Sequence, residues 1–192
     1  MPRPNFIALL LALVAVALFS ACSVNVDKNK QGKENKVDIK TPFGNIKVNN
    51  EANANDTGLP LYAGARQMPT EKGNDANANV NIEGPFGGVK VAVAKYESDD
   101  AQEKVLAYYR DQMKTFGRVV ECHGETNQSV NPHDDDDRDE PVTCGHQDPL
   151  SKTISLKTGT THKQHIVAVK PHGNGTEIDL VYVKVRGKDD SI

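Results

Sequence analysis

Val37-Asp-Ile-Lys-Thr-Pro-Phe-Gly-Asn-Ile-Lys-Val48 returns further along the chain as Val80-Asn-Ile-Glu-Gly-Pro-Phe-Gly-Gly-Val-Lys-Val91, with seven of twelve aligned positions identical. In each copy apolar and polar residues alternate on both sides of Pro-Phe-Gly, the pattern of two half-buried strands joined by a turn. Each copy therefore predicts a β-hairpin. Two copies are too few for a stacked array, so the repeat is read as a recurrent turn. Phe43 and Phe86 are expected to pack inward, as large aromatic residues usually do; the alternative is a matched pair of docking loops that present both rings.

Between the copies lie two Asn/Ala runs of linker composition, Ala52-Asn-Ala-Asn55 and Ala76-Asn-Ala-Asn79. Embedded there is Leu59-Pro-Leu-Tyr-Ala-Gly-Ala65, a short apolar anchor expected to pack on the domain. From Val89 the alternation continues through Val91 and Val93 to Tyr96, which predicts a strand. Ser98-Asp99-Asp100 then offers helix caps, with Gln102 and Glu103 at capping-box spacing. Val105, Tyr109, Met113 and Phe116 recur on one helical face, and Gly117 suits the residue past the end. The spacing predicts a helix from Ala101 to Phe116.

Everything after Gly117 reads as strand: Arg118 to Cys122, Pro141 to Cys144, Thr153 to Lys157, Gln164 to Lys170 and Glu177 to Val185. His172-Gly-Asn-Gly175 has the composition of a hairpin turn between the last two. Ile178, Leu180 and Tyr182 occupy one face of the final strand and Val181, Val183 and Val185 the other, so both faces should be covered. One helix covers one face. The other is expected to lie under the first Pro-Phe-Gly hairpin and the Leu59-to-Ala65 anchor, or under a partner.

The start of the chain carries one basic residue, Arg3, and an apolar run from Phe6 to Phe19. That run has the length of a signal-peptide core and falls short of the roughly 20 apolar residues that span a bilayer. Phe19-Ser20-Ala21-Cys22 resembles a lipobox, the recognition site of lipoprotein signal peptidase. The resemblance implies that Cys22 receives a diacylglyceryl thioether and becomes the mature N-terminus; an ordinary secretory cleavage near Ala21 is the alternative. Ser23, rather than Asp, follows the cysteine. In a Gram-negative host this implies the outer membrane, facing the periplasm. Ser23 to Lys36 is polar and reads as a solvated tether.

A second resemblance covers Leu59 to Val185. Leu61-Tyr62-Ala63-Gly64-Ala65, then Tyr96-Glu-Ser-Asp-Asp100, then Val105-Leu-Ala-Tyr-Tyr-Arg110 and Gly117 resemble a pattern of uncharacterised bacterial envelope lipoproteins. In that pattern a Tyr-Pro-Gly-Ala segment precedes a strand, an Asp-capped turn and a Phe-Tyr-Arg helix that ends in Gly. It implies a small α+β domain and brings no catalytic residues.

The chain carries a net charge of −3, and loss of residues 1–21 removes Arg3 alone among charged side chains, giving −4. Mild acidity without a basic stripe excludes nucleic acid as a partner. Cys122 and Cys144 form an even pair on neighbouring strands of an exported chain and read as a disulfide. A metal site from Cys122, His123, Cys144 and His146 matches no zinc spacing, and adjacent strand residues point to opposite faces. Between the cysteines, Asp134, Asp135, Asp136, Asp137, Asp139 and Glu140 are weak candidates for Ca²⁺. No register of an EF-hand loop places both its glycine and its twelfth-position carboxylate, so the run reads as a solvated loop. His162 and His165 fall on opposite faces of a strand and read as surface residues. No nucleophile-elbow, zincin or phosphate-loop motif occurs, and no cofactor is implied.

The expected organisation is a signal peptide over 1–21, a flexible tether over 22–36, the first hairpin and linker over 37–58, and an α+β domain over 59–187. That domain is expected as one helix packed on a mainly antiparallel sheet of about five to six strands. The function this suggests is a lipid-anchored, non-enzymatic binding or scaffolding protein. It would be held to the membrane through Cys22, with a protein partner or self-association through the sheet face. A divergent enzyme or Ca²⁺-dependent module built on residues 134–140 is the alternative.

Overall fold

The computed structural model of the protein describes residues 22–28, 34–68, 77–124 and 139–187. Along the chain these form β1 (Ser23–Lys28), β2 (Glu34–Thr41), β3 (Gly44–Asn49), α1 (Ala54–Thr57), β4 (Arg66–Gln67), β5 (Ala78–Gly84) and β6 (Gly87–Ser98). There follow α2 (Gln102–Gln112), a 3-10 turn (Met113–Phe116), β7 (Val120–His123), β8 (Ile154–Gly159), β9 (Lys163–His172) and β10 (Gly175–Arg186). The ten strands form one sheet in the order β1-β2-β3-β5-β6-β10-β9-β8-β7, with β4 paired separately to the end of β6.

This corrects the α+β expectation of one helix on five to six strands. The fold is dominated by a ten-stranded antiparallel sheet with two short helices. The physical reason is that neither Pro-Phe-Gly hairpin is an appendage. β2 and β3 form the first, β5 and β6 the second, and β3 pairs with β5 from Asn45 opposite Glu83 to Asn49 opposite Asn79. The second strand of the first copy therefore pairs with the first strand of the second, Ile46 beside Ile82 and Val48 beside Val80. β6 is also one strand of twelve residues: its first half closes the hairpin, and the whole pairs with β10 from Gly88 to Ser98.

The flexible-tether reading is corrected as well, since Ser23–Lys28 is not free chain. It pairs antiparallel with β2 as the edge of the sheet, Val24 opposite Ile39 and Val26 opposite Val37. Pro141 to Cys144 makes no strand, only a single bridge from Pro141 to Thr160.

On the β6-β10-β9-β8 half of the sheet, one face carries Ala94, Tyr96, Ile178, Leu180, Val167, Val169 and Leu156, all buried. α2 covers it with Val105, Leu106, Tyr109 and Met113, and the 54–62 stretch adds Ala54, Leu59 and Tyr62. This is the hydrophobic core, closed by hydrogen bonds that buried tyrosine hydroxyls accept. The Ala54 amide donates to Tyr96 Oη at 2.8 Å and the Tyr62 amide to Tyr109 Oη at 3.2 Å. The Ala52-to-Asn55 run, of linker composition, is in fact the start of α1. The Asn53 side chain accepts from the Asn55 amide, and Asp56 accepts from the Asn53 amide.

The helix at Ala101–Phe116 is present but lacks the anticipated Asp cap. Ala101 stands at the N-cap with no side-chain bond. Asp100 is already engaged, accepting from Lys104 Nζ at 2.9 Å and from Tyr62 Oη at 2.7 Å. α2 is docked instead by Gln102, whose Nε2 donates to the carbonyls of Lys152 and Val169.

Candidate functional site

Three regions outside the core bring polar or exposed apolar groups together. The first is the continuation of the core-side face across β1, β2, β3 and β5, beyond α2 and met by α1 at Asn79, whose Nδ2 donates to Asp56 Oδ1 at 3.1 Å. Alternation along each strand sets Asn25 and Asp27, Lys36 and Asp38, Lys47 and Asn49, and Asn79 and Asn81 side by side on it, with Lys90 of β6 at the border. They line an open cleft of about 400 Å³. Two oxygens at this end, Asp38 Oδ1 and Asn45 Oδ1, are buried and accept no hydrogen bond among the described residues. Buried acceptors without a donor are uncommon. The cleft therefore presents amides, ammonium groups and the open acceptor of Asp38.

The second region is the opposite face of the same strands. Val24, Val26, Val37, Ile39, Ile46, Val48, Val80, Ile82, Val89, Val91 and Val93 all point there by the two-residue period. Val24, Val26, Ile46 and Ile82 are exposed. The segments expected to cover it lie elsewhere: Leu59 and Tyr62 sit in the helix-side core and the first hairpin extends the sheet in its own plane. Only toward β8 and β9 is this face shut, where Ile166, Val183, Cys122 and Val142 are buried.

At one end of this apolar face stand the two Pro-Phe-Gly turns. Thr41 pairs with Gly44 and Gly84 with Gly87, so each turn has two residues between paired positions. Proline holds its φ negative, which rules out the mirror-image turns usual in such hairpins. Glycine at the far side absorbs the mismatch: Gly87 has φ +137°, and a Cβ there would sit 2.3 Å from the Arg186 carbonyl oxygen. Phe43 and Phe86 are 77 % and 75 % exposed, contrary to the inward packing expected of them. Each ring sits on a two-residue turn at the end of the sheet, beyond the faces where the core packs. Ile46, Ile82, Val89 and Val185 line the apolar cleft behind them, of about 470 Å³.

The third region surrounds the disulfide. Cys122 of β7 is bonded to Cys144, which ties the segment after residue 139 to the edge of the sheet. Cys22 is the free cysteine among the described residues and is exposed at the start of β1. Of the acidic run, Asp134, Asp135, Asp136 and Asp137 lie outside the described residues, as does the signal segment 1–21. Asp139 accepts from the His162 amide at 3.1 Å. Burial opposes its ionisation, yet hydrogen bonds from Thr160, His162 and Thr161 hold its carboxyl below the usual range. Glu140 uses its backbone, its carbonyl accepting from the Thr161 amide. Among the described residues no three His, Cys, Asp or Glu side chains are placed to hold a metal ion, and no helix is long and apolar enough to cross a membrane.

Two polar groups are hidden from sequence reasoning. His165, expected at the surface, is buried on the core side of β9 between the rings of Phe116 and Tyr182, at 4.2 and 4.9 Å between centroids. Burial, with Lys163 nearby, pushes its pKa down to about 4, so the ring is neutral. On the opposite face Glu177 is buried and paired with Lys170 at 2.8 Å, with Lys95 and His172 at the margin. Beside it burial raises the Asp179 carboxyl above its usual range. Asp179 Oδ1 is buried there and accepts no hydrogen bond among the described residues. Comparison with known protein families, characterised proteins and solved structures finds no match for this chain.

Proposed function

We propose that the chain is a lipid-anchored protein of the bacterial envelope whose sheet binds or scaffolds without catalysing a reaction. The observation that carries this is the sequence Phe19-Ser20-Ala21-Cys22 placed directly before β1. Acyl chains contribute about 0.8 kcal/mol per buried methylene, so a diacylglyceryl group and a further acyl chain on Cys22 hold the protein at a membrane stably. Ser23 after the cysteine favours the outer membrane of a Gram-negative cell, with the sheet facing the periplasm.

The binding half of the proposal is supported by the polar cleft over β1, β2, β3 and β5, with its amides, three lysines and open acceptor at Asp38. Cell fractionation tests the anchor. The wild-type chain is expected in the membrane pellet and Cys22→Ser in the soluble periplasmic fraction. A wild-type protein that is soluble after lysis sinks the anchored reading.

A further inference from the structure

The end of the sheet at which β1 begins is the end that carries both Pro-Phe-Gly turns. Ser23 lies opposite Lys40, so continuing the register by one residue sets Cys22 beside Thr41, which opens the Pro42-Phe43 turn. The second turn lies alongside the first: a Cβ on Gly84 would stand 3.5 Å from the Phe43 carbonyl oxygen. Counting strand spacings of about 4.8 Å, Phe43 is displaced from β1 by about 7 Å and Phe86 by about 17 Å along this edge. No slack separates Cys22 from the sheet, since Ser23 is the first residue of β1. One residue reaches at most about 3.6 Å, so lipid attached at Cys22 draws this whole edge down to the headgroups.

Resting on the lipid-anchor reading, we propose that this edge is a membrane-docking rim. Phe43 and Phe86 insert their rings into the interface of the bilayer that holds the acyl chains of Cys22. Lipid and rings make three points of attachment along the edge, so the sheet stands on its end with a fixed orientation instead of swinging on one anchor. The exposure of both rings and the cleft behind them at Ile46 and Ile82 fit an apolar interface, and the charged groups that share this cleft, Glu83 and Arg186, are paired with one another at 3.3 Å. The repeat explains itself in the same terms: duplicating the hairpin duplicates the tip.

The chain contains no tryptophan, so Phe43→Trp or Phe86→Trp introduces a single reporter indole. Each variant is expressed as the full chain with its signal and purified from host membranes. It is then reconstituted in phosphatidylethanolamine–phosphatidylglycerol vesicles with and without brominated acyl chains. Both indoles are expected to shift their emission to shorter wavelength in vesicles and to lose most of it to brominated lipid. Leu150→Trp is the control; Leu150 is 90 % exposed and precedes β8 at the opposite end of the sheet, and its indole is expected to stay in water.

Tip indoles that behave like Leu150→Trp overturn the rim, as does a blue shift that follows protein concentration without lipid, which signals a second copy. The intact mass of the same preparation reports acylation independently. An acylated protein with tips in water removes the rim and keeps the anchor, whereas an unacylated protein with quenched tips does the reverse. Should a tryptophan at a tip unfold the domain, hydrogen exchange on the unsubstituted protein decides. Vesicles are expected to slow peptides covering 40–46 and 83–88 and to leave 145–151 unchanged, and equal rates throughout overturn the proposal.

Discussion

Replacing His165 with glutamine should flatten the dependence of stability on pH between about 6.5 and 4. The imidazole lies buried between Phe116 and Tyr182, with Nε2 facing Gly58, and the cost of charging it there lowers its pKa from 6.5 to about 4. The folded pKa lies below the unfolded one, so the unfolded chain binds the proton more tightly. Stability from the neutral ring is therefore complete above about 6.5 and is lost as pH falls toward 4. Every tenfold weakening of proton affinity on folding is worth about 1.4 kcal/mol, giving about 3 kcal/mol as an upper figure, with residual solvent screening reducing it toward about 2. Urea unfolding at intervals from pH 7.5 to 4 measures this in both proteins. The difference in unfolding free energy between wild type and His165→Gln should narrow by about 2–3 kcal/mol across the window. Carboxylates held low by partners, such as Asp100 beside Lys104 and Glu121 beside Arg110, lose their contribution at lower pH and do so in both proteins. Parallel curves, or an imidazole that titrates near 6.5 by NMR, would refute the buried neutral ring.

Opening the Cys122–Cys144 bond by Cys122→Ser with Cys144→Ser should cost roughly 3 kcal/mol for a sequence separation of 22, read as a lower urea midpoint in the variant than in oxidised wild type. Tyr109→Phe strands the buried Tyr62 amide and should cost about 1–3 kcal/mol, as should Tyr96→Phe through the Ala54 amide; unchanged midpoints would show that these bonds hold nothing. Gly87→Ala forces a Cβ against the Arg186 carbonyl at φ +137° and should destabilise by more than about 2 kcal/mol. Gly173→Ala, at φ +57° with open space around it, should cost only about 1 kcal/mol, and equal losses at the two glycines would contradict the close approach.

Local structure is largely legible in the residues. Alternation around each Pro-Phe-Gly marks β2–β3 and β5–β6, the spacing of Val105, Tyr109 and Met113 marks α2, and Gly173-Asn174 marks the β9–β10 turn. What does not show is which edges pair. The two repeats are readable as hairpins, but only their matched registers, Ile46 against Ile82, join them into the main sheet. Ser23–Lys28 carries little strand signal because Asn, Asp and Lys surround only two valines, and an edge strand needs no more. The Asp cap of α2 fails because Tyr62 and Lys104, distant and local partners alike, compete for the Asp100 carboxylate. Among site residues, the Cys122–Cys144 bond is legible from the even number of cysteines left once Cys22 is read as lipidated. Inward packing of Phe43 and Phe86 follows from a composition rule that ignores where on a sheet a turn falls. The burial of His165 follows from which face of β9 meets the helix, a fact of register with no signal in composition.

Intact mass spectrometry of the mature protein from host membranes tests most directly the proposal that Cys22 bears lipid at the rim of the sheet. The prediction is a chain that begins at Cys22 and carries the added mass of a diacylglyceryl group with or without a further acyl chain, lost in Cys22→Ser. An unmodified chain that begins at any other residue would contradict it.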